Sequence, residues 1–305
     1  MKYLTPLLPF AAGFVLLLAT RSLAALALVN GVLQLVLFAL VVHRPIARTG
    51  RMSYVDVGWP LGVAVIGAAT WALSHGHWLR VAAVSGVYLF IGLRMGLAAV
   101  LMWRRGHLKK ELPRYEYQRR RWARAGKTNL PLAMHVEAAV QGLANASYLA
   151  FPALVIASNA SPEVAPLEVL GLVVWVGAFA MESVADAQKM AFLRRCKAQG
   201  LRKQVCNVGL WRYSRHPNYF AEWLVWTALV VASVPSWLAL RSQEPIVLWV
   251  LLGAGLLFVS RAMYVTLVHY TGAVPAEHYS RQKRPGYAAY QEETNRFFPG
   301  PPRKG

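Results

Sequence analysis

An all-helical, polytopic membrane protein is the fold class this sequence predicts, and three observations carry it. Hydrophobic residues make up 56% of the 305, too large a share for a soluble globular chain. They fall in runs of about twenty, the length a helix needs to cross the hydrocarbon core of a bilayer. The 33 lysines and arginines lie almost entirely between those runs.

The runs cover roughly 3–20, 23–42, 55–74, 79–103, 132–158, 166–188, 219–240 and 246–270, which gives a bundle of about seven or eight transmembrane helices. The first has Lys2 ahead of an apolar core, as a signal peptide would. No small-residue cleavage site separates it from the second, so it reads as a retained helix. No linker or internal repeat divides the chain, and a single integral membrane domain over 1–305 is expected.

The net charge of +20 has a distribution that argues against nucleic acid. Lys and Arg number 3 in 43–54, 10 in 104–131, 8 in 189–218 and 6 in 271–305, which is 27 of the 33. With eight spans these rich connections alternate with poor ones, the positive-inside pattern with both termini in the cytoplasm. The charge therefore reports topology, and beyond it anionic lipid headgroups or a phosphorylated ligand. The basic stretch 104–127 is threaded with Tyr115, Tyr117 and Trp122, as in a helix lying at the membrane surface. Cys196 and Cys206 share a basic connection, where reduced thiols are expected. No metal spacing, P-loop or strand-borne dinucleotide turn is present.

The run Gly209-Leu210-Trp211-Arg212-Tyr213-Ser214-Arg215-His216-Pro217-Asn218-Tyr219-Phe220-Ala221-Glu222 sets ionisable and amide groups against an apolar span. A cytoplasmic flank explains Arg212 and Arg215. It does not explain Asn218 and Glu222, which lie one helical turn apart and share a face. Further polar groups fall in or beside other runs: Asp56, Arg94, Glu137, Glu182, Asp186 and Arg261. Interhelical hydrogen bonding returns only about 0.6 kcal/mol on average, whereas a charge at membrane depth costs about 2.5–3.5 kcal/mol on the lenient insertion scale. A polar pocket near the cytoplasmic ends is therefore the better reading. In the tail, Pro285-Gly286 predicts a turn. Tyr287 and Tyr290, three apart, predict a short helix packing back to close that pocket.

The stretch 210–219 resembles the signature of the steroid 5-alpha-reductase C-terminal-like membrane proteins and is similar to the motif of sterol C14 and delta-7 reductases. Tyr54-Val55-Asp56-Val57-Gly58-Trp59, Gly92-Leu93-Arg94 and the tail from Arg284-Pro285-Gly286-Tyr287 to Pro299 resemble the bacterial, largely uncharacterised branch of that group. The resemblance covers 23–305 and leaves 1–22 as an extra N-terminal segment.

It implies NADPH as cofactor, held by Asp186, Asn218, Tyr219 and Glu222, with Arg105 matching an arginine after the fourth span and Arg194 or Arg195 near a cofactor-contacting arginine. Arg94, His216, Arg261, Glu277, His278 and Arg281 complete the implied cofactor set, the tail residues by the loosest match. Arg105, Arg195, Arg215 and Arg281 could neutralise phosphates by paired hydrogen bonds, and Asn218 offers an amide both donor and acceptor. The implied reaction delivers hydride to the β carbon of a conjugated carbonyl and a proton to the α carbon. Steroid reductases carry a glutamine-glutamate pair in the third span and a tyrosine in the fourth; here these read Val55-Asp56 and Tyr88, the latter one turn displaced. Asp56 and Tyr88 are accordingly the candidate proton donors. The expected partners are membrane lipids and a hydrophobic substrate arriving laterally, for a monomer in a bacterial inner membrane. The rival reading is an S-adenosylmethionine-dependent membrane methyltransferase of the isoprenylcysteine or phospholipid type.

Overall fold

The computed structural model describes residues 2–303, and among these the regular structure is entirely helical. In chain order the helices are α1 (Leu8–Ala19), α2 (Ala24–Phe38), α3 (Arg44–Thr49), α4 (Val55–Leu73), α5 (Trp78–Arg104), α6 (Pro113–Arg124), α7 (Leu130–Ala146), α8 (Phe151–Ser158), α9 (Pro166–Ala198), α10 (Pro217–Ala239), α11 (Ile246–Val265), α12 (Ala273–Lys283) and α13 (Tyr287–Glu293). Seven stretches of described residues are long and apolar enough to cross a membrane, from 24–49 to 246–283. The protein is a polytopic integral membrane protein.

Two sequence expectations shift. The first apolar segment forms a helical stretch over Thr5–Ala19 only, about 22 Å of helix against the roughly 30 Å of a bilayer core. The fifth run, expected to be continuous, breaks between α7 and α8. Ser147 leaves the helical region at φ −117, ψ −105, and Pro152 in the first turn of α8 has no N–H to continue an earlier ladder.

The chain forms two compact units, residues 1–168 with 232–259 and residues 169–231 with 260–305. In the first unit, α4 and α5 pack closely because small residues let their backbones meet. A Cβ on Gly92 would stand 2.3 Å from the Ala64 nitrogen, so that crossing excludes any larger residue. A buried amide knot joins α2, α4 and α7. Gln34 donates to Asn30 Oδ1 at 3.1 Å and to the Gly62 carbonyl at 2.8 Å, and Asn145 donates to the Trp59 carbonyl at 3.0 Å.

The stretch expected as a surface helix forms amphipathic α6, which lies against the start of α4 and buries Tyr115, Gln118 and Trp122. Glu111, just ahead of it, accepts from the Met52 and Ser53 amides at 2.9 and 3.0 Å and pairs with Arg119 at 3.0 Å. Away from this cap, Arg80 and Glu168 form a buried ion pair at 2.6 Å.

Candidate functional site

Four of the sequence-predicted residues lie in the first unit. Asp56, in the first turn of α4, accepts a hydrogen bond from the Tyr115 hydroxyl and pairs with Arg114 at 3.1 Å. Its carboxylate thereby ties α6 to α4. Tyr88 is fully buried on α5 and donates to the Leu149 carbonyl at 2.6 Å, so its proton is committed to the backbone. Arg94 and Arg105 are exposed, on α5 and just past its end.

The second unit holds the rest. The connection leading into α10 is fixed from below by α9. Gly209 adopts φ +55, a left-handed conformation that favours glycine, and sits against the amide end of Gln188. Gln188 in turn accepts from the Leu210 amide at 2.8 Å. Trp211 is buried, donates its indole N–H to the Ala185 carbonyl at 2.8 Å, and carries the Lys189 ammonium 4.0 Å over its ring. The next residues, 212–216, are strapped by the chain beyond α13. The Arg215 amide donates to the Asn295 carbonyl at 2.8 Å, the Ser214 hydroxyl to that of Phe297 at 2.8 Å, and the Gly300 amide to that of Tyr213 at 3.1 Å. The short helix expected around Tyr287 and Tyr290 is α13, and both rings are buried. Burial pushes the Tyr287 phenol up to about 12.

At the centre stands Glu277 on α12, 5% exposed. It accepts from Arg215 Nε at 2.8 Å and Nη2 at 3.3 Å, from Gln291 Nε2 at 3.0 Å and from Arg296 Nε at 3.3 Å. His216 Nε2 lies 3.1 Å from the same carboxylate. Arg215 spends its remaining donor, Nη1, on the Gln291 and Thr294 carbonyls. Arg215, His216 and Glu277 are thus brought together, but their hydrogen bonds go to one another and to the tail. The Arg215 guanidinium, which was expected to neutralise phosphate, holds the strap in place.

His216 also stacks on Tyr219, with ring centroids 5.3 Å apart and planes 1° from parallel. Burial pushes its imidazole below the ordinary value, against the opposing pull of Glu277. The ring is therefore neutral at pH 7, with Nε2–H donating to the carboxylate. The unfolded chain takes up this proton below about 6.5 while the folded one resists it, so stability is complete at neutral pH and declines as the pH falls from about 6.5 toward the folded value. Thermal melts at pH 7.5 and 5.5 should show a lower midpoint at the acid pH. His216→Gln should reduce that difference, and an unchanged difference would refute the assignment.

At the start of α10 the site turns polar and incompletely satisfied. Asn218 Nδ2 donates to Asp186 Oδ1 on α9 at 3.1 Å. Asn218 Oδ1 is shielded from solvent and has no hydrogen-bond partner among the described residues. Glu222, half-buried, follows one turn along the same face. Asp186 and Asn218, both in the cofactor set that the resemblance implies, are thus joined across α9 and α10. His278, beside Glu277 on α12, lies 3.1 Å from Gln282, while Arg195, Arg261 and Arg281 are exposed.

The sequence reading did not single out an aromatic cluster beside these groups. Phe220 and Trp223 on α10, Tyr264 on α11, and Phe297 and Phe298 of the strap form one cluster with centroids from 5.2 to 6.1 Å apart, mostly edge-on, with Tyr264 stacked on Phe298. The i, i+3 spacing of Phe220 and Trp223 was the available signal; their pairing with a segment over seventy residues away was not readable. No group of three or more metal-ligating side chains occurs among the described residues.

Comparison with known proteins adds one finding. The profile of a family described as a protein of unknown function (DUF1295) matches residues 45–294. No curated protein and no solved structure matches the chain.

Proposed function

We propose a reductase function for this chain, which belongs to the DUF1295 family of uncharacterised membrane proteins: it binds NADPH in its second unit and reduces a conjugated C=C bond in a hydrophobic, steroid-like or lipid enone. The observation that carries the reading is the buried, unpartnered Asn218 Oδ1, held in place by the Asn218–Asp186 hydrogen bond. A buried acceptor left empty costs about 1–3 kcal/mol unless a ligand donor fills it. A carboxamide NH2 is such a donor, and nicotinamide carries one. Glu222, on the same face, can accept a ribose hydroxyl proton. The exposed guanidinium groups of Arg195 and Arg281 are free of ion pairs among the described residues and suit phosphates. Arg215, His216 and Glu277 act here as positioning residues that fix the start of α10.

When bound, NADPH supplies hydride to the β carbon. The α carbon then needs a proton and the oxygen a group that stabilises developing charge. Asp56 is the acid that the resemblance implies; its carboxylate accepts from Tyr115 and pairs with Arg114, so it must first take up a proton before it can donate one. Tyr88, with its proton given to Leu149, is the weaker of the two implied donors. The resemblance to sterol-type reductases, a bacterial inner-membrane location, cytoplasmic termini and a monomeric state belong to the same proposal.

Titrating the purified full-length protein with NADPH and with S-adenosylmethionine tests it. Saturable NADPH binding is expected, followed by NADPH oxidation when 3-keto-4-ene steroids or 2-enoyl lipids are added. Binding of S-adenosylmethionine alone would assign the site to the methyltransferase class.

A further inference from the structure

The connection after α9 carries a feature that the reductase reading leaves unused. The chain turns at Gly200, and Lys203 then adopts φ +60, the one non-glycine residue with positive φ among those described. Left-handed backbone at a lysine is unfavourable and is found where surrounding structure or function holds it.

A cavity of about 320 Å³ opens at this turn, with Lys197, Arg202, Lys203 and Arg284 in its lining and no carboxylate among the residues that line it. Lys197, Arg202 and Lys203 make no ion pair or side-chain hydrogen bond with any described residue. Among the described residues Arg284 hydrogen-bonds to the Ser280 hydroxyl alone, at 2.9 Å. Four cations around one hollow repel one another unless an anion joins them. Leu193 and Leu201 line the same cavity and are 42% and 47% exposed. Leu193 belongs to the last turns of a helix long enough to cross the bilayer and continue past it.

We infer that this hollow is a headgroup site for an anionic phospholipid, its phosphodiester among the four cations and its acyl chains along Leu193 and Leu201. The volume is at the small end of ligand pockets, in keeping with a headgroup. A soluble phosphate ester would account for the cations but would leave the exposed leucines without a role. Basic side chains beside a membrane surface attract anionic lipid by about five-fold each.

The test uses the full-length protein in a non-ionic detergent. Binding of dioctanoyl phosphatidylglycerol is compared with that of dioctanoyl phosphatidylcholine, and 2′-AMP and inorganic phosphate serve as competitors. Phosphatidylglycerol should bind at least ten-fold tighter than phosphatidylcholine and resist both competitors. Lys203→Gly keeps the left-handed turn, since glycine adopts positive φ freely, and should weaken binding about five-fold. The triple variant Lys197→Gln/Arg202→Gln/Lys203→Gly should weaken it roughly a hundredfold with an unchanged melting temperature. Equal binding of the two lipids, or full binding by the triple variant, overturns the inference. Displacement by either soluble phosphate also overturns it, assigning the hollow to a free phosphate ester.

Discussion

Glu277→Ala should destabilise the second unit by about 3–5 kcal/mol, the usual result of removing one partner from a buried ion pair. The mutation removes a side chain that accepts from Arg215, His216, Gln291 and Arg296. Arg215, 6% exposed, would keep its charge and its Nη1 contacts to the Gln291 and Thr294 carbonyls but lose its buried counter-charge, Glu277. The strap over 294–300 depends on that guanidinium, so its release should follow. Limited proteolysis of the full-length protein should show new cleavage near the C-terminus, and the melting temperature should fall by several degrees. The double variant Arg215→Met/Glu277→Leu should recover part of the loss, because an apolar pair of similar volume needs no buried charge compensated. An unchanged melting temperature in Glu277→Ala would refute the structural assignment. The same numbers guard against a misreading: cofactor affinity lost in Glu277→Ala does not by itself make Glu277 a cofactor contact.

What the sequence discloses here, and what it hides, follows from range. Runs of apolar residues are local signals, and seven of them correspond to helices long enough to span. The shortfall of the first was not legible, since its apolar run covers 3–20 whereas the helical stretch is Thr5–Ala19 only, too short for a bilayer. Asn218 and Glu222 on one face is also a local inference, and α10 realises it. The partner of Asn218, however, is 32 residues away on α9, and the Arg215–Glu277 pair closes over 62 residues. Two charged residues so far apart can be recognised as expensive without revealing whether they await a ligand or each other. In this protein Arg215 and Glu277 satisfy each other, while Asn218 retains an empty acceptor. Tyr88 illustrates the same limit, since an intramembrane phenol reads as a catalytic acid until its hydrogen bond to Leu149 is seen. The break at Ser147 is subtler still: nothing in an apolar run marks which residue leaves the helix, though Pro152 marks where the next begins.

The variant that separates a ligand acceptor from ordinary packing is Asn218→Ala. It removes one hydrogen bond to Asp186 at 3.1 Å, a loss of about 0.5–1.5 kcal/mol, so the protein should remain folded with a nearly unchanged melting temperature. NADPH affinity should nonetheless fall about 10- to 100-fold, because the carboxamide loses its acceptor in a site shielded from water. Asn218→Asp should be worse at neutral pH. It replaces a donor with a second carboxylate oxygen facing Asp186, and two like charges at that distance cannot both remain ionised cheaply. Lowering the pH should protonate the new pair, restore one donor between the two oxygens and return part of the affinity. A dinucleotide whose nicotinamide is replaced by nicotinic acid gives the matching test from the ligand side. Its carboxylate offers no N–H to Asn218 Oδ1 and adds charge beside Asp186 and Glu222, so wild-type protein should bind it at least ten-fold more weakly than NADPH. Were Asn218→Ala to bind NADPH as tightly as the wild type, the empty acceptor would have another purpose and the reductase reading would lose the observation it stands on.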